Sequence, residues 1–170
     1  LDKNTRPLRD LVKESIFNLI QHSNKFSVSI LNSNVLDLFS GTGSFGLECF
    51  SRGAKFITFV ENYPLVLNIL KKNISNMNAF SCSEIIENNC FEKINKNKNF
   101  LKKFDIIFLD PPYNYKNINF LIDQIIDHKI LNNNGIIVIH RHKKDDIQIT
   151  PKLKILDIRK YGLSKIIIGN

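Results

Sequence analysis

Apolar positions recur with two different periods along the chain, and the alternation of those periods predicts its elements. Over Arg6 to His22, the residues Leu8, Leu11, Val12, Ile16, Leu19 and Ile20 keep helical spacing, with Arg9, Asp10, Lys13 and Glu14 on the opposite face. Val35-Leu36-Asp37-Leu38-Phe39 then reads as a short buried strand, and from Gly41 to Gly46 the pattern breaks into a turn that opens a helix through Phe50. Phe56 to Val60 is a second strand ending at Glu61, and Leu65 to Ile74 is helical behind Pro64, which suits a first helical turn. Glu84 to Glu87 is a weaker strand, and Phe91 to Leu101 a Lys- and Asn-rich helix.

Asp105 to Leu109 is apolar on both faces, as a central parallel strand must be, and stops at Asp110-Pro111-Pro112 because prolines cannot donate to a ladder. A helix over Ile118 to Ile130, a turn at Asn132 to Gly135 and a buried strand over Ile136 to Ile139 follow. Leu153 to Ile158 and Ser164 to Ile168 flank Tyr161-Gly162 as an antiparallel pair. The series predicts a doubly wound, Rossmann-like α/β fold whose mostly parallel, seven-stranded sheet is closed by a terminal hairpin. One domain, 1–170, is expected, with an N-terminal helix within 1–24 and the core over 34–170.

Composition narrows the class. At 170 residues and 43 % hydrophobic, the chain can bury a core without disulfides or a structural metal. Cys49, Cys82 and Cys90 are odd in number and lack Cys-x-x-Cys spacing, so no disulfide framework or zinc site is indicated and a reducing cytoplasm is expected. No apolar run approaches the roughly 18 to 20 residues that span a bilayer, and no secretory pattern opens the chain, so a soluble protein is expected. Net charge changes the picture most. Lys+Arg 24 against Asp+Glu 16 gives +8 and a pI near 9.4, which favours a polyanion, nucleic acid first, unless compositional bias alone accounts for the Lys and Asn content.

The glycine turn follows the first strand, where a doubly wound sheet opens a crevice for a nucleoside ligand. Gly41 and Gly43 allow close backbone approach, and Gly46 lets the next helix pack on the sheet. A dinucleotide enzyme uses the same turn for a pyrophosphate, so the glycines alone do not discriminate. Asp37, four residues before Gly41, does: its carboxylate suits a cationic amino-acid moiety and repels a pyrophosphate, which favours S-adenosylmethionine. Glu61 can accept both ribose hydroxyl protons.

Asp110-Pro111-Pro112-Tyr113 supplies candidate chemistry for methylating an exocyclic amine, whose lone pair is delocalised into the base ring. Asp110 and the Pro111 carbonyl can accept the two amine protons and stabilise charge as the nitrogen attacks a sulfonium methyl. Pro112 stiffens the turn, and Tyr113 offers a face on which a base taken out of its helix can stack.

These motifs together resemble the bacterial family of 16S ribosomal RNA guanine-N2 methyltransferases over nearly the whole chain. Thr5 to Asn18 is similar to that family's Arg-Pro-x-x-Asp-x-x-(Lys/Arg)-Glu-x-(Leu/Ile)-Phe-Asn opening, Asp37 to Glu48 to its cofactor motif, and Asp110 to Tyr113 to its acceptor motif. The resemblance implies a class I methyltransferase fold and S-adenosylmethionine held by Asp37, Phe39, Ser40, Gly41, Gly43, Glu61 and Asn62, with Asn89 and Cys90 at the adenine. It also implies RNA contacts from Arg6, Arg9 and Lys13, no metal, and a monomer acting on the small ribosomal subunit or an assembly intermediate. Tyr161-Gly162 matches the family's closing hairpin. Departures are Leu11 where the family has Arg, and His140 where an acidic residue is expected, so no rim role is assigned to His140. The family's basic hairpin ahead of Arg-Pro is not seen, and a start at Leu1 in place of Met leads us to expect residues upstream.

Other readings stay open at this level. An adenine-N6 methyltransferase acting on DNA or RNA would use the same geometry, and a nucleoside- or RNA-binding protein without catalysis would keep the fold. A nicotinamide-dependent dehydrogenase is disfavoured by Asp37.

Overall fold

The computed structural model describes residues 10–87, 102–112 and 114–170. The helix expected over Phe91 to Leu101, the first nine residues, Asn89, Cys90 and Tyr113 lie outside them.

Helix α1 (Asp10–His22) leads to β1 (Asn34–Leu38), α2 (Ser44–Ser51), β2 (Phe56–Glu61), α3 (Pro64–Asn76), β3 (Ser83–Glu87), β4 (Phe104–Leu109), α4 (Ile118–Asp127), β5 (Leu131–His142), β6 (Ile155–Tyr161) and β7 (Ser164–Gly169). The strands form a seven-stranded sheet in the order β3-β2-β1-β4-β5-β7-β6. The first five run parallel, and β7 inserts antiparallel between β5 and β6. The doubly wound sheet closed by a hairpin is therefore present.

Strand parity sorts the core into two layers. Val35, Ile57, Phe59, Ile106, Phe108, Ile136, Val138 and Ile166 face α1, α2 and α3, while Leu36, Leu38, Ile107, Leu109, Ile137, Ile139 and Ile167 face α4. On the first face, three rings stack in a column: Phe17 of α1 on Phe45 of α2 at 5.1 Å, and Phe45 on Phe108 of β4 at 4.0 Å. Such aromatic pairs add about 0.5–1.5 kcal/mol each beyond area burial. The column ties the helix after the glycine turn to the strand that ends at Asp110. No helix among the described residues is long and apolar enough to cross a membrane.

Three expectations change. Leu11 was placed in the apolar stripe of α1 but is 78 % exposed; Val12, Ile16, Phe17 and Ile20 form the buried face instead. The helix expected to run to Ile130 ends at Asp127, because Lys129 adopts a left-handed conformation at φ +53° and the amides of Lys129 and Ile130 close back on Ile126 and Ile125. Asn132 to Gly135 is no separate turn but a bulged part of β5: while β4 advances from Phe104 to Ile106, β5 advances from Leu131 to Ile136. Asp105 holds the bulge by accepting from the Asn132 amide group at 2.6 Å and from the Asn34 backbone at 2.8 Å.

Candidate active site

β1 and β4 are adjacent and parallel, with Leu38 opposite Leu109, so the glycine turn and the Asp110 loop leave the sheet side by side. Phe39 makes the first bend with φ +64°, a left-handed conformation that costs a non-glycine residue of order 1–3 kcal/mol. Its ring meets Tyr115 edge-on at 5.1 Å, which binds the glycine-turn side of the crevice to the acceptor loop. Ser40, buried, donates from both its amide and its hydroxyl to the Val60 carbonyl, at 3.1 and 2.9 Å.

The amides of the glycine turn are already engaged. Gly41 donates to Glu61 Oε2 at 2.8 Å, Gly43 to the Ser40 carbonyl at 2.8 Å, and Gly46 to Asp37 Oδ2 at 3.0 Å. A pyrophosphate would need those donors, so the turn is poorly suited to a dinucleotide. Gly41, at φ +55°, has open space where a Cβ would stand, whereas a Cβ on Gly46 would come within 2.4 Å of Phe59 and 2.8 Å of Ile57. Gly46, and Gly43 with a Cβ position 2.5 Å from Leu70, are therefore required by packing, while Gly41 leaves open space beside the turn.

Glu61 is the hub between β2 and the turn. Its Oε1 accepts from the amides of Asn62 and Tyr63 at 2.8 and 2.9 Å, and its Oε2 from Gly41. Asp37 lies deeper, 1 % exposed beneath the turn. Burial pushes its carboxyl up to about 8; the Gly46 amide opposes this, and the neighbouring Asp110 and Glu61 carboxylates reinforce it. Glu61 at the end of β2 and Asp110 just beyond β4 thus act on one crevice, whose field favours a cationic ligand and disfavours an anionic one, while burial favours the neutral form of Asp37 beneath them.

The acceptor loop is fixed from β5. His140 Nδ1 lies 2.8 Å from Asp110 Oδ1, and the buried guanidinium of Arg141 donates to the carbonyls of Pro112 at 3.2 Å and Tyr115 at 3.3 Å. The Pro112 carbonyl also accepts from the Tyr115 amide at 2.9 Å, so it is committed to the loop's own fold. Arg141 is paired with Asp145. Burial raises that carboxyl, yet the Ile147 amide and Arg141 outweigh it and hold Asp145 below the usual range.

Of the residues singled out in the sequence, Asp37, Phe39, Ser40, Gly41, Gly43, Glu61, Asn62, Asp110, Pro111 and Pro112 gather at these neighbouring strand ends. Arg6, Arg9, Asn89, Cys90 and Tyr113 lie outside the described residues. Lys13 reaches the start of α2, its ammonium 3.3 Å from Ser44 Oγ. His140, to which the sequence assigned no rim role, is buried and contacts the Asp110 carboxylate, a partner the sequence did not indicate. Arg141 was missed as well. A His-Arg pair closing the buried strand beside the acceptor strand was the available signal.

Comparison with known proteins agrees with this geometry. The ribosomal RNA small subunit methyltransferase D of Buchnera aphidicola from Acyrthosiphon pisum is 36 % identical over 149 residues, covering 88 % of this chain and 73 % of the relative. A conserved hypothetical protein of Streptococcus pyogenes superposes with TM-score 0.79 at 27 % identity, covering 93 % of this chain and 94 % of that one. An RNA methyltransferase of Salinibacter ruber, solved in complex with S-adenosyl-L-homocysteine, shares the fold at TM-score 0.69 and 13 % identity over 96 % of this chain and 92 % of that one. Residues 1–170 match the family described as Conserved hypothetical protein 95, and with that match the chain belongs to the family of the ribosomal RNA small subunit methyltransferase D proteins.

Proposed function

We propose that this chain transfers a methyl group from S-adenosylmethionine to the exocyclic N2 of a guanine in 16S ribosomal RNA. The observation that carries the reading is the placement of Asp110 beside the glycine turn, in a crevice that the Asp110 and Glu61 carboxylates make negative. A methyl donor bearing an ammonium and a sulfonium fits that field, and Gly41 leaves room for its approach. The small-subunit RNA named for the Buchnera relative and the net charge of +8 support the substrate class. The protein acts in the cytoplasm as a monomer, on the small subunit or an assembly intermediate.

S-adenosylmethionine supplies an electrophilic methyl: the C–S bond breaks as the C–N bond forms, leaving the thioether product. The chain's part is to make the amine nucleophilic. Asp110 and the Pro111 carbonyl accept its two hydrogens, draw the nitrogen toward tetrahedral geometry and stabilise the charge it gains. The Pro112 carbonyl, held by Arg141 and the Tyr115 amide, leaves that second role to Pro111. The proton that the methylated nitrogen must lose passes to the Asp110 carboxylate and then to solvent. Asp37 and Glu61 hold the turn and the cofactor's amino-acid and ribose ends, Asn89 and Cys90 border the adenine, Tyr113 stacks the target base, and Arg6, Arg9 and Lys13 face phosphates.

The test is the product. Unmethylated small-subunit RNA treated with the protein and labelled S-adenosylmethionine is digested to nucleosides for mass spectrometry. N2-methylguanosine is expected, and N6-methyladenosine would replace the guanine assignment.

A further inference from the structure

The carboxylate proposed to receive the amine is itself gripped. His140, 4 % exposed on β5, follows the Leu109–Ile139 pair in the ladder, which sets it beside Asp110. Its Nδ1 is 2.8 Å from Asp110 Oδ1, and its Nε2 is 2.8 Å from the hydroxyl of Ser164, a buried residue on β7. A carboxylate only accepts hydrogen bonds, so Nδ1 carries the proton, and in the neutral ring Nε2 then accepts from the Ser164 hydroxyl. Ser164 thereby fixes the turn of the ring, and the ring fixes the carboxylate. Left alone, an aspartate's terminal torsion is broad. The Asp110 side chain stays 21 % exposed, so its other side remains open to the crevice.

We infer that His140, oriented by Ser164, is a positioning residue for methyl transfer: it occupies Oδ1 of Asp110 and presents Oδ2 to the target amine. Because a carboxylate oxygen only accepts hydrogen bonds, the oxygen left open selects a donor group such as an amine over a carbonyl at the same place. The inference rests on the amino-methyltransferase reading given above.

The experiment compares wild type with His140→Ala, His140→Asn, Ser164→Ala and Asp110→Ala in a tritiated-methyl assay on unmethylated small subunits. Calorimetry with S-adenosylhomocysteine and ¹⁵N spectra of the His140 ring accompany it. Misplacing a reacting group typically costs up to about a hundredfold, so His140→Ala should lower kcat by roughly 10- to 100-fold, with the KM for S-adenosylmethionine within about threefold. Asparagine can return an N–H near the Nδ1 position, so His140→Asn should recover most of that loss. Ser164→Ala should cost less, and nothing further in the His140→Ala background. The ring spectrum of the wild type should show the proton on Nδ1.

A His140→Ala protein with kcat within twofold of wild type would overturn the inference. So would a His140→Asn protein that binds S-adenosylhomocysteine and melts normally yet is as slow as the alanine variant, or a ring protonated on Nε2 alone. If wild type shows no more transfer than Asp110→Ala, the methyltransferase reading fails, and the ring spectrum still decides the Asp110–His140 arrangement. If Asp110→Ala is inactive while His140→Ala is fast, only the present inference falls.

Discussion

Asp110, just beyond β4, raises the cost of charge on Asp37, which lies buried on the neighbouring β1 beneath the glycine turn. Their environments differ: Asp37 is buried under the glycine turn and donor-poor, whereas Asp110 is partly open and bonded to His140. The difference separates a carboxyl that holds the turn from one that opens on the crevice.

Asp110→Ala removes the proposed amine acceptor and leaves the hydrogen bonds of the turn to Glu61 and Asp37 in place. Transfer in a tritiated-methyl assay is expected to fall by at least about a hundredfold, the scale of losing one preorganised hydrogen-bonding partner of a transition state. Affinity for S-adenosylhomocysteine should stay within a few-fold by calorimetry. Retained turnover would count against the mechanism.

Asp37 predicts a pH dependence of stability. Its carboxyl is held up to about 8 in the folded protein against 3.8 in a model peptide, so between those values the native state binds more protons than the unfolded chain. Stability should fall as pH rises through that window, by at most about 1.4 kcal/mol per pH unit from this group, and level off above it. Asp145 and Asp157, both lowered, act in the opposite sense only in more acidic solution. Urea midpoints of the ligand-free protein should therefore drop from pH 5 to pH 8, and Asp37→Asn should flatten the trend; an equal slope in both proteins would refute the assignment to Asp37.

Gly46→Ala and Gly41→Ala should separate packing from approach. The first places a methyl 2.4 Å from the Phe59 ring, and overpacking of this kind costs typically about 1–3 kcal/mol, read as a lower melting temperature. The second meets no atom within 4 Å, and its left-handed conformation costs only about 1–2 kcal/mol. Its larger effect should be on S-adenosylhomocysteine affinity. Reversal of the two outcomes would mean that the turn faces the other way.

Arg141→Met should be the most damaging of these substitutions to the fold. It strands the Asp145 carboxylate and releases the carbonyls of Pro112 and Tyr115, and breaking a buried pair from one side costs about 3–5 kcal/mol. Adding Asp145→Asn should recover part of the loss in a denaturant titration. If the double variant is no better than the single one, the carbonyl contacts, and not the ion pair, carry the stability.

Much of this was legible in the sequence because its signals are local. Asp37, Gly41, Gly43 and Gly46 lie within ten residues, and the run from Asp105 to Leu109 can be buried on both faces only in the middle of a sheet. The errors lie where tertiary partners decide. Leu11 has helical spacing but points away from the sheet, and Asn132 to Gly135 looks like a turn until Asp105 ties it to the neighbouring strands. His140 and Arg141 carry only the mark of a His-Arg pair closing a buried strand, which does not say what they touch. Their roles come from Asp110, Pro112 and Tyr115, roughly thirty positions away in the chain, and from Ser164 beyond the hairpin bend.

Inserting β7 between β5 and β6 also bears on the order in which the protein can assemble. A nascent chain that has emerged only as far as β5 can pair every parallel strand and build the cofactor turn. It still shows an unpaired β5 edge to its surroundings, and His140 lacks its Ser164 partner. Competence to bind the methyl donor would then precede competence to use it, and the arrival of β7 would switch on the chemistry as it caps the exposed edge.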